Sequence, residues 1–72
     1  PMAKVLIIDD DAVLRTFLKT SLKQEGFEVQ TADSKASVRR DRYDAVLSGI
    51  MKPFSLDKFL TRLKLMGLTT AA

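Results

Sequence analysis

Apolar runs at three places along the chain predict three β-strands. Lys4–Ile8 (KVLII) is an unbroken apolar run followed by three aspartates, a pattern typical of a central strand buried on both faces of a parallel sheet. Phe27–Ala32 (FEVQTA) alternates apolar and polar positions, which indicates a half-buried strand at a sheet edge. Tyr43–Met51 returns to strand character, and Lys52-Pro53 ends it because proline biases the preceding residue toward extended backbone.

Helical periodicity follows the first and third runs. Asp11 is a natural N-cap for a helix from Ala12, and Gly26 is placed to end that helix. Ser55 is the expected N-cap of a last helix that Gly67 closes. The stripes expected to face the core consist of Leu14, Phe17, Leu18, Ser21 and Leu22 in the first helix and of Leu56, Phe59, Leu60, Leu63 and Met66 in the last. The polar residues 33–42 leave room for a short helix of about two turns.

The resulting order, β-α-β-α-β-α, predicts an α/β domain whose parallel strands are joined by right-handed crossovers. With 72 residues the chain is one domain, 1–72, whose small core stabilises the fold only marginally. Cysteine and histidine are absent, which excludes disulfides, thiolate metal sites and imidazole ligands, so oligomerisation is the expected additional support. Residues 1–2 resemble a cloning remnant and residues 68–72 a frayed tail.

Composition narrows the class of protein. The chain is 46% hydrophobic and 29% charged, as globular soluble chains are. No apolar run approaches the ~20 residues of a membrane span, and no signal peptide is evident, so we expect a cytoplasmic protein without a membrane partner. No nucleotide-binding glycine loop and no nucleophile-base pair is present, so no enzyme class is indicated.

The net charge of +3 raises the question of a polyanion partner. The polar segment 33–42 contains four basic residues: Lys35, Arg39, Arg40 and Arg42. Asp33, Asp41 and Asp44 interleave with them, and no aromatic stacking platform accompanies them. This pattern favours a solvated helix face over a nucleic-acid interface, which would show steeply salt-dependent affinity.

Motifs along nearly the whole chain resemble the receiver domain of two-component response regulators, the flavodoxin-like phosphoacceptor module. The resemblance runs through KVLIIDDDAVLRTFLKTSLKQEGFEVQTADS, RYDAVLSGI and MKPFSLDKFLTRL. It implies a shortened flavodoxin-like three-layer arrangement with a parallel three-stranded sheet in the order 2-1-3. The segment Ile50–Phe54 resembles the last turn of the family pattern, so about two strand-helix units of that pattern are absent between Tyr43 and this turn.

The resemblance also implies a set of site residues. Asp10 would be a direct ligand of Mg²⁺ and Asp9 a water-mediated one, because a hard divalent cation relieves the repulsion between adjacent carboxylates. The alternative is that these aspartates only favour the start of the first helix. Lys52 aligns with the lysine that contacts the phosphoryl group, and its bond to Pro53 would be cis, or else the pair is a plain strand-ending turn. We expect Mg²⁺ binding to be weak and no other cofactor.

Gly49 occupies the position of the family's phosphoacceptor aspartate, so no catalytic residue remains. Ser48 is a poor replacement, because neighbouring side chains on a strand point to opposite faces. The sequence therefore favours a receiver-like module that lacks the acceptor and acts as a protein-association domain.

A homodimer is the expected assembly. It would form through the edge of the third strand, with Ala45, Val46, Leu47, Ile50 and Met51 as association residues, or by exchange of the last helix. The alternative is a phosphorelay component that still contacts a sensor histidine kinase, by a substitute acceptor or by sequestration. Nucleic-acid binding is the third possibility.

Overall fold

A computed structural model describes residues 2–36, 38–50 and 55–67. The elements, in chain order, are β1 (Lys4–Ile8), α1 (Ala12–Gln24), β2 (Glu28–Ala32), a 3₁₀ turn (Arg40–Arg42), β3 (Ala45–Leu47) and α2 (Leu56–Leu65). The predicted α/β class is confirmed.

The three strands form one parallel sheet in the order β2-β1-β3, as predicted. Val5 pairs with Val29 on one side and Ala45 on the other, so these three residues lie on the same face of the sheet. Leu6 and Ile8 point to the opposite face and are also buried. The apolar character of β1 follows from this central position, since both of its faces are covered.

Both α-helices cover the face that carries Val5 and Ile7. Their buried side chains join one hydrophobic cluster with the sheet: Leu14, Leu18 and Leu22 from α1, Phe59 and Leu63 from α2, and Val5, Ile7, Val29 and Leu47 from the strands. The sequence left open which face the last helix covers. It packs on the same face as α1, as the last helix of a receiver would.

The connection from β2 to β3 must pass β1, because β1 lies between them. Tyr43, at the end of this connection, donates a hydrogen bond from Oη to Oε1 of Gln30 over 2.8 Å. Its ring lies 5.4 Å from the Nζ atom of Lys4. Lys4 and Gln30 occupy sheet positions on the Leu6 face, so Tyr43 spans β1 on the face opposite to α1 and α2.

The second helix is shorter than predicted. Of the described residues in 33–42, only Arg40–Arg42 are helical, in a single 3₁₀ turn. Ser34 Oγ accepts a hydrogen bond from the backbone N–H of Ala36 over 3.4 Å. Short polar side chains that bond to nearby backbone groups compete with helix formation, which accounts for the irregular segment.

The predicted helix ends are confirmed at α1. Asp11 Oδ1 accepts hydrogen bonds from the N–H groups of Val13 and Leu14, over 2.9 and 3.2 Å. Gly26 has a φ of 95°, its N–H donates to the carbonyl of Lys23, and the next N–H, of Phe27, donates to Leu22. This pair of bonds is the Schellman motif, in which glycine is favoured because its backbone is left-handed.

Two positions of the predicted stripes are exposed. Phe17 is 48% exposed and Met66 52% exposed. The buried stripe of α1 runs at strict four-residue spacing through Leu14, Leu18 and Leu22, so Phe17 lies about 100° away from Leu18 around the helix.

Candidate functional site

The loop that follows β1 places two carboxylates at the carboxyl end of the sheet. The N–H of Asp9 still donates to the carbonyl of Ala32 in β2, over 3.1 Å, so Asp9 continues the sheet by one residue. Asp9 is half-buried and Asp10 is exposed. This is the end of an open parallel sheet at which ligands bind.

Asp9 is held by local bonds. Its Oδ1 accepts a hydrogen bond from the N–H of Asp11 over 2.8 Å, which fixes the orientation of the carboxylate. Arg15 Nη1 donates to the Asp9 carbonyl over 2.7 Å, which brings a positive charge to the same loop. Arg15 was not predicted from the sequence, because its position one turn into α1 does not by itself show that it reaches the Asp9 carbonyl.

Gly49 follows β3 at the end of the sheet where Asp9 follows β1. Ile7 pairs with Leu47, the last residue of β3, and Asp9 and Gly49 each come two residues later along the chain. Gly49 has a φ of 64°, and a Cβ atom built there meets no other atom within 4 Å. The position has open space for a side chain, at the cost of a left-handed backbone conformation.

The ligand set for a cation is small. Within ranges 2–36, 38–50 and 55–67, no three residues of the types Asp, Glu, His or Cys come together as a metal-binding group. Mg²⁺ keeps several water ligands when only one or two carboxylates hold it. The Mg²⁺ site at Asp9 and Asp10 stays a prediction. Lys52, the predicted phosphate contact, and its bond to Pro53 lie outside the described residues.

Two of the five predicted association residues are buried in the chain's own core. Ala45 is 5% and Leu47 8% exposed, whereas Val46 is half-buried and Ile50 packs partly against the core. Met51 lies outside the described residues. β1 is the only strand neighbour of β3 in the described sheet, so the other side of β3 is an edge. That edge offers mainly backbone groups and Val46 to another chain.

The basic segment is solvated. Lys35, Arg39, Arg40 and Arg42 are all exposed. Arg39 forms an ion pair with Asp41 at 3.5 Å, with side chains 64% and 70% exposed. Such surface pairs contribute little to stability, so this ion pair is a minor term in the energetics of the fold. Among the described residues, no helix is long and apolar enough to cross a membrane.

Comparison with curated proteins supports a relationship with response-regulator receivers. One similar protein is the Transcriptional regulatory protein CpxR homolog of Haemophilus influenzae, with 38% identity over 55 residues. The match covers 72% of this chain but 24% of the relative, so the chain spans about a quarter of that protein. No family model and no solved structure matches the chain.

Proposed function

We propose that this chain is a receiver-like module of two-component phosphorelay signal transduction that accepts no phosphoryl group and acts as a protein-association domain. The observation that carries the proposal is Gly49, which follows β3 at the same end of the sheet as Asp9 and occupies the position at which the resembled family pattern has its acceptor aspartate. Phosphoryl transfer to a receiver requires a carboxylate nucleophile at that point, and glycine has none.

Asp44, the carboxylate beside β3 in the sequence, is not a substitute for the acceptor. Asp44 precedes the strand, at the opposite end of the sheet. Its Oδ2 accepts a hydrogen bond from the N–H of Lys4 over 2.7 Å, and its own N–H donates to the Lys4 carbonyl over 2.8 Å. These two bonds hold Asp44 at the start of β1, away from the Asp9 loop.

Native mass spectrometry with Mg²⁺ and a small acyl phosphate tests the loss of the acceptor. We expect the chain to remain unmodified. The variant Gly49→Asp should gain a phosphoryl adduct, because the position has open space and aspartate tolerates a left-handed backbone better than most residues. The matched variant Gly49→Asn, which keeps the shape but cannot form an acyl phosphate, should stay unmodified.

An alkali-labile phosphoryl adduct on the native chain would contradict the proposal. It would favour the alternative of a working phosphorelay component with a substitute acceptor, for which the exposed Asp10 is the first candidate. Mutation of Asp10 to Asn would then abolish the adduct.

The partner we propose is a second copy of the chain. A single small core gives marginal stability, and association adds buried surface that the monomer lacks. The edge of β3 is one route to such a homodimer, through backbone pairing around Val46.

A further inference from the structure

The outer side of α1 carries an uncharged ridge. Its members are exposed and recur at three- and four-residue spacing: Val13, Thr16, Phe17, Thr20 and Gln24. We call this set the α1 ridge. Val13 is 79% exposed and Phe17 48% exposed, one helical turn apart. Because Val13 and Phe17 are neighbours on the exposed side of the helix, they form one apolar patch rather than two separate exposed residues.

We propose that the α1 ridge is the docking surface for a second copy of this chain, with the two α1 helices antiparallel about a two-fold axis. The inference deepens the proposed association function and rests on it, because it names the face through which the copies meet. A two-fold contact is self-complementary, so one patch is sufficient for both partners.

Charge along α1 selects the antiparallel arrangement. Asp9, Asp10 and Asp11 precede the helix, whereas Lys19 and Lys23 lie in its second half, exposed. If Thr16 of one copy faces Phe17 of the other, then Val13 faces Thr20 and Asp10 faces Lys23 of the partner copy. The antiparallel pair also places the positive end of each helix dipole beside the negative end of the other.

The ridge offers more exposed apolar surface than the β3 edge. Ala45 and Leu47 are already buried in the chain's own core, and Val46 is half-buried. Val13, by contrast, has four-fifths of its surface available to a partner. The hydrophobic gain on association therefore favours α1.

The contact is small. α1 has 13 residues, so it is about 20 Å long. A pair of such helices buries less than the ~1,600 Å² of a standard stable interface. We expect a dimer with a dissociation constant in the micromolar-to-millimolar range, above about 1 µM.

Sedimentation velocity over a range of concentrations tests the ridge with matched variants. Val13→Glu should weaken dimerisation about tenfold or more, because it removes the apolar contact and places an unpaired carboxylate in the interface in both copies. Leu65→Glu changes an apolar residue of α2 that is 82% exposed, so it is the control and should leave the dimer unchanged. Val46→Lys, which blocks the edge of β3, distinguishes the two routes to a homodimer: a dimer formed through the α1 ridge survives this variant, whereas one formed through the β3 edge does not. Circular dichroism confirms folding of each variant.

Charge reversal tests the antiparallel register. Asp10→Lys and Lys23→Asp should each weaken the dimer severalfold, and the double variant should restore it, since it re-forms the same pair with opposite signs. If Val46→Lys abolishes the dimer and Val13→Glu leaves it intact, the α1 ridge is not the interface, although the association function survives. A native chain that stays monomeric at millimolar concentration would overturn both the α1 ridge and the association of two copies. If the α1 ridge binds only a helix of a different protein, the proposal that a second copy docks there is wrong.

Discussion

At the scale of single residues, the hydrogen bonds of Asp11 fix where α1 begins. Replacement of Asp11 by alanine removes the acceptor for the N–H groups of Val13 and Leu14. We expect the free energy of unfolding to fall by about 1 kcal/mol, the usual cost of losing an N-cap side chain.

Urea denaturation followed by circular dichroism measures this change. Asp11→Ser retains a capping oxygen and should restore most of the stability. Asp10→Ala, at the exposed neighbouring position, is the second control, and a loss there as large as at position 11 would contradict the capping role.

Residue-level sequence reasoning succeeded where one side chain acts on the backbone beside it. Asp11, Gly26 and Ser55 have the roles that local chemistry predicts. The prediction for Phe17 was wrong. Residues three or four positions apart can both share a helix face, and only the packing of α1 against the sheet shows that the buried face consists of Leu14, Leu18 and Leu22. Sequence reasoning did not identify Arg15, since a bond to the Asp9 carbonyl depends on the path of the loop.

At the scale of elements, Gly26 ends α1 and turns the chain into β2. Its φ of 95° lies in the left-handed region, so Gly26→Ala should lower the free energy of unfolding by roughly 1–2 kcal/mol. Gly26→Asn is the matched variant, and it should cost less because asparagine is the residue other than glycine that adopts this conformation at helix ends.

Thermal or urea unfolding distinguishes the two variants. Equal stability of Gly26→Ala and the native chain would show that the left-handed turn is not required for the connection from α1 to β2.

The strands and helices with a strong hydrophobic pattern were predictable, and the weakly patterned segment was not. β1 and β2 follow their predicted runs within one residue. β3 is limited to Ala45–Leu47, although the strand-like pattern extends from Tyr43 to Met51. Gly49 has a φ of 64°, which takes the backbone out of the extended region soon after Leu47, and the hydrophobic pattern does not reveal this turn.

At the scale of the whole molecule, Tyr43 links the two edges of the sheet across β1. Its hydrogen bond to Gln30 joins the approach to β3 with β2. Tyr43→Phe keeps the ring beside Lys4 and removes this bond. We expect the free energy of unfolding to fall by about 0.5–1.5 kcal/mol, the net value of one such bond.

A double-mutant cycle with Gln30→Ala isolates the interaction. The double variant should be little less stable than the more destabilised single variant, because the shared bond is lost only once. Strictly additive losses would show that the two side chains act independently.

The global arrangement could be predicted in outline. The order of apolar runs and the receiver resemblance gave the parallel sheet and its strand order. The face covered by α2 could not be derived from spacing, because its stripe fits either side of the sheet. It depends on the joint packing of Phe59 and Leu63 with the α1 leucines. Asp9, Asp10 and Gly49 could be proposed as site positions from the sequence, whereas the end of the sheet at which they lie follows from the parallel pairing of β1 and β3.

The placement of α2 beside α1 determines how this chain can be lengthened. Phe59 and Leu63 already complete the core on that face, and β3 has a second side without a strand neighbour in the described sheet. A strand-helix unit grafted between Ile50 and Ser55 would therefore extend the sheet outward from β3 and leave the contacts of α2 in place. We therefore expect the connection before α2 to tolerate an inserted strand-helix unit or a fused reporter.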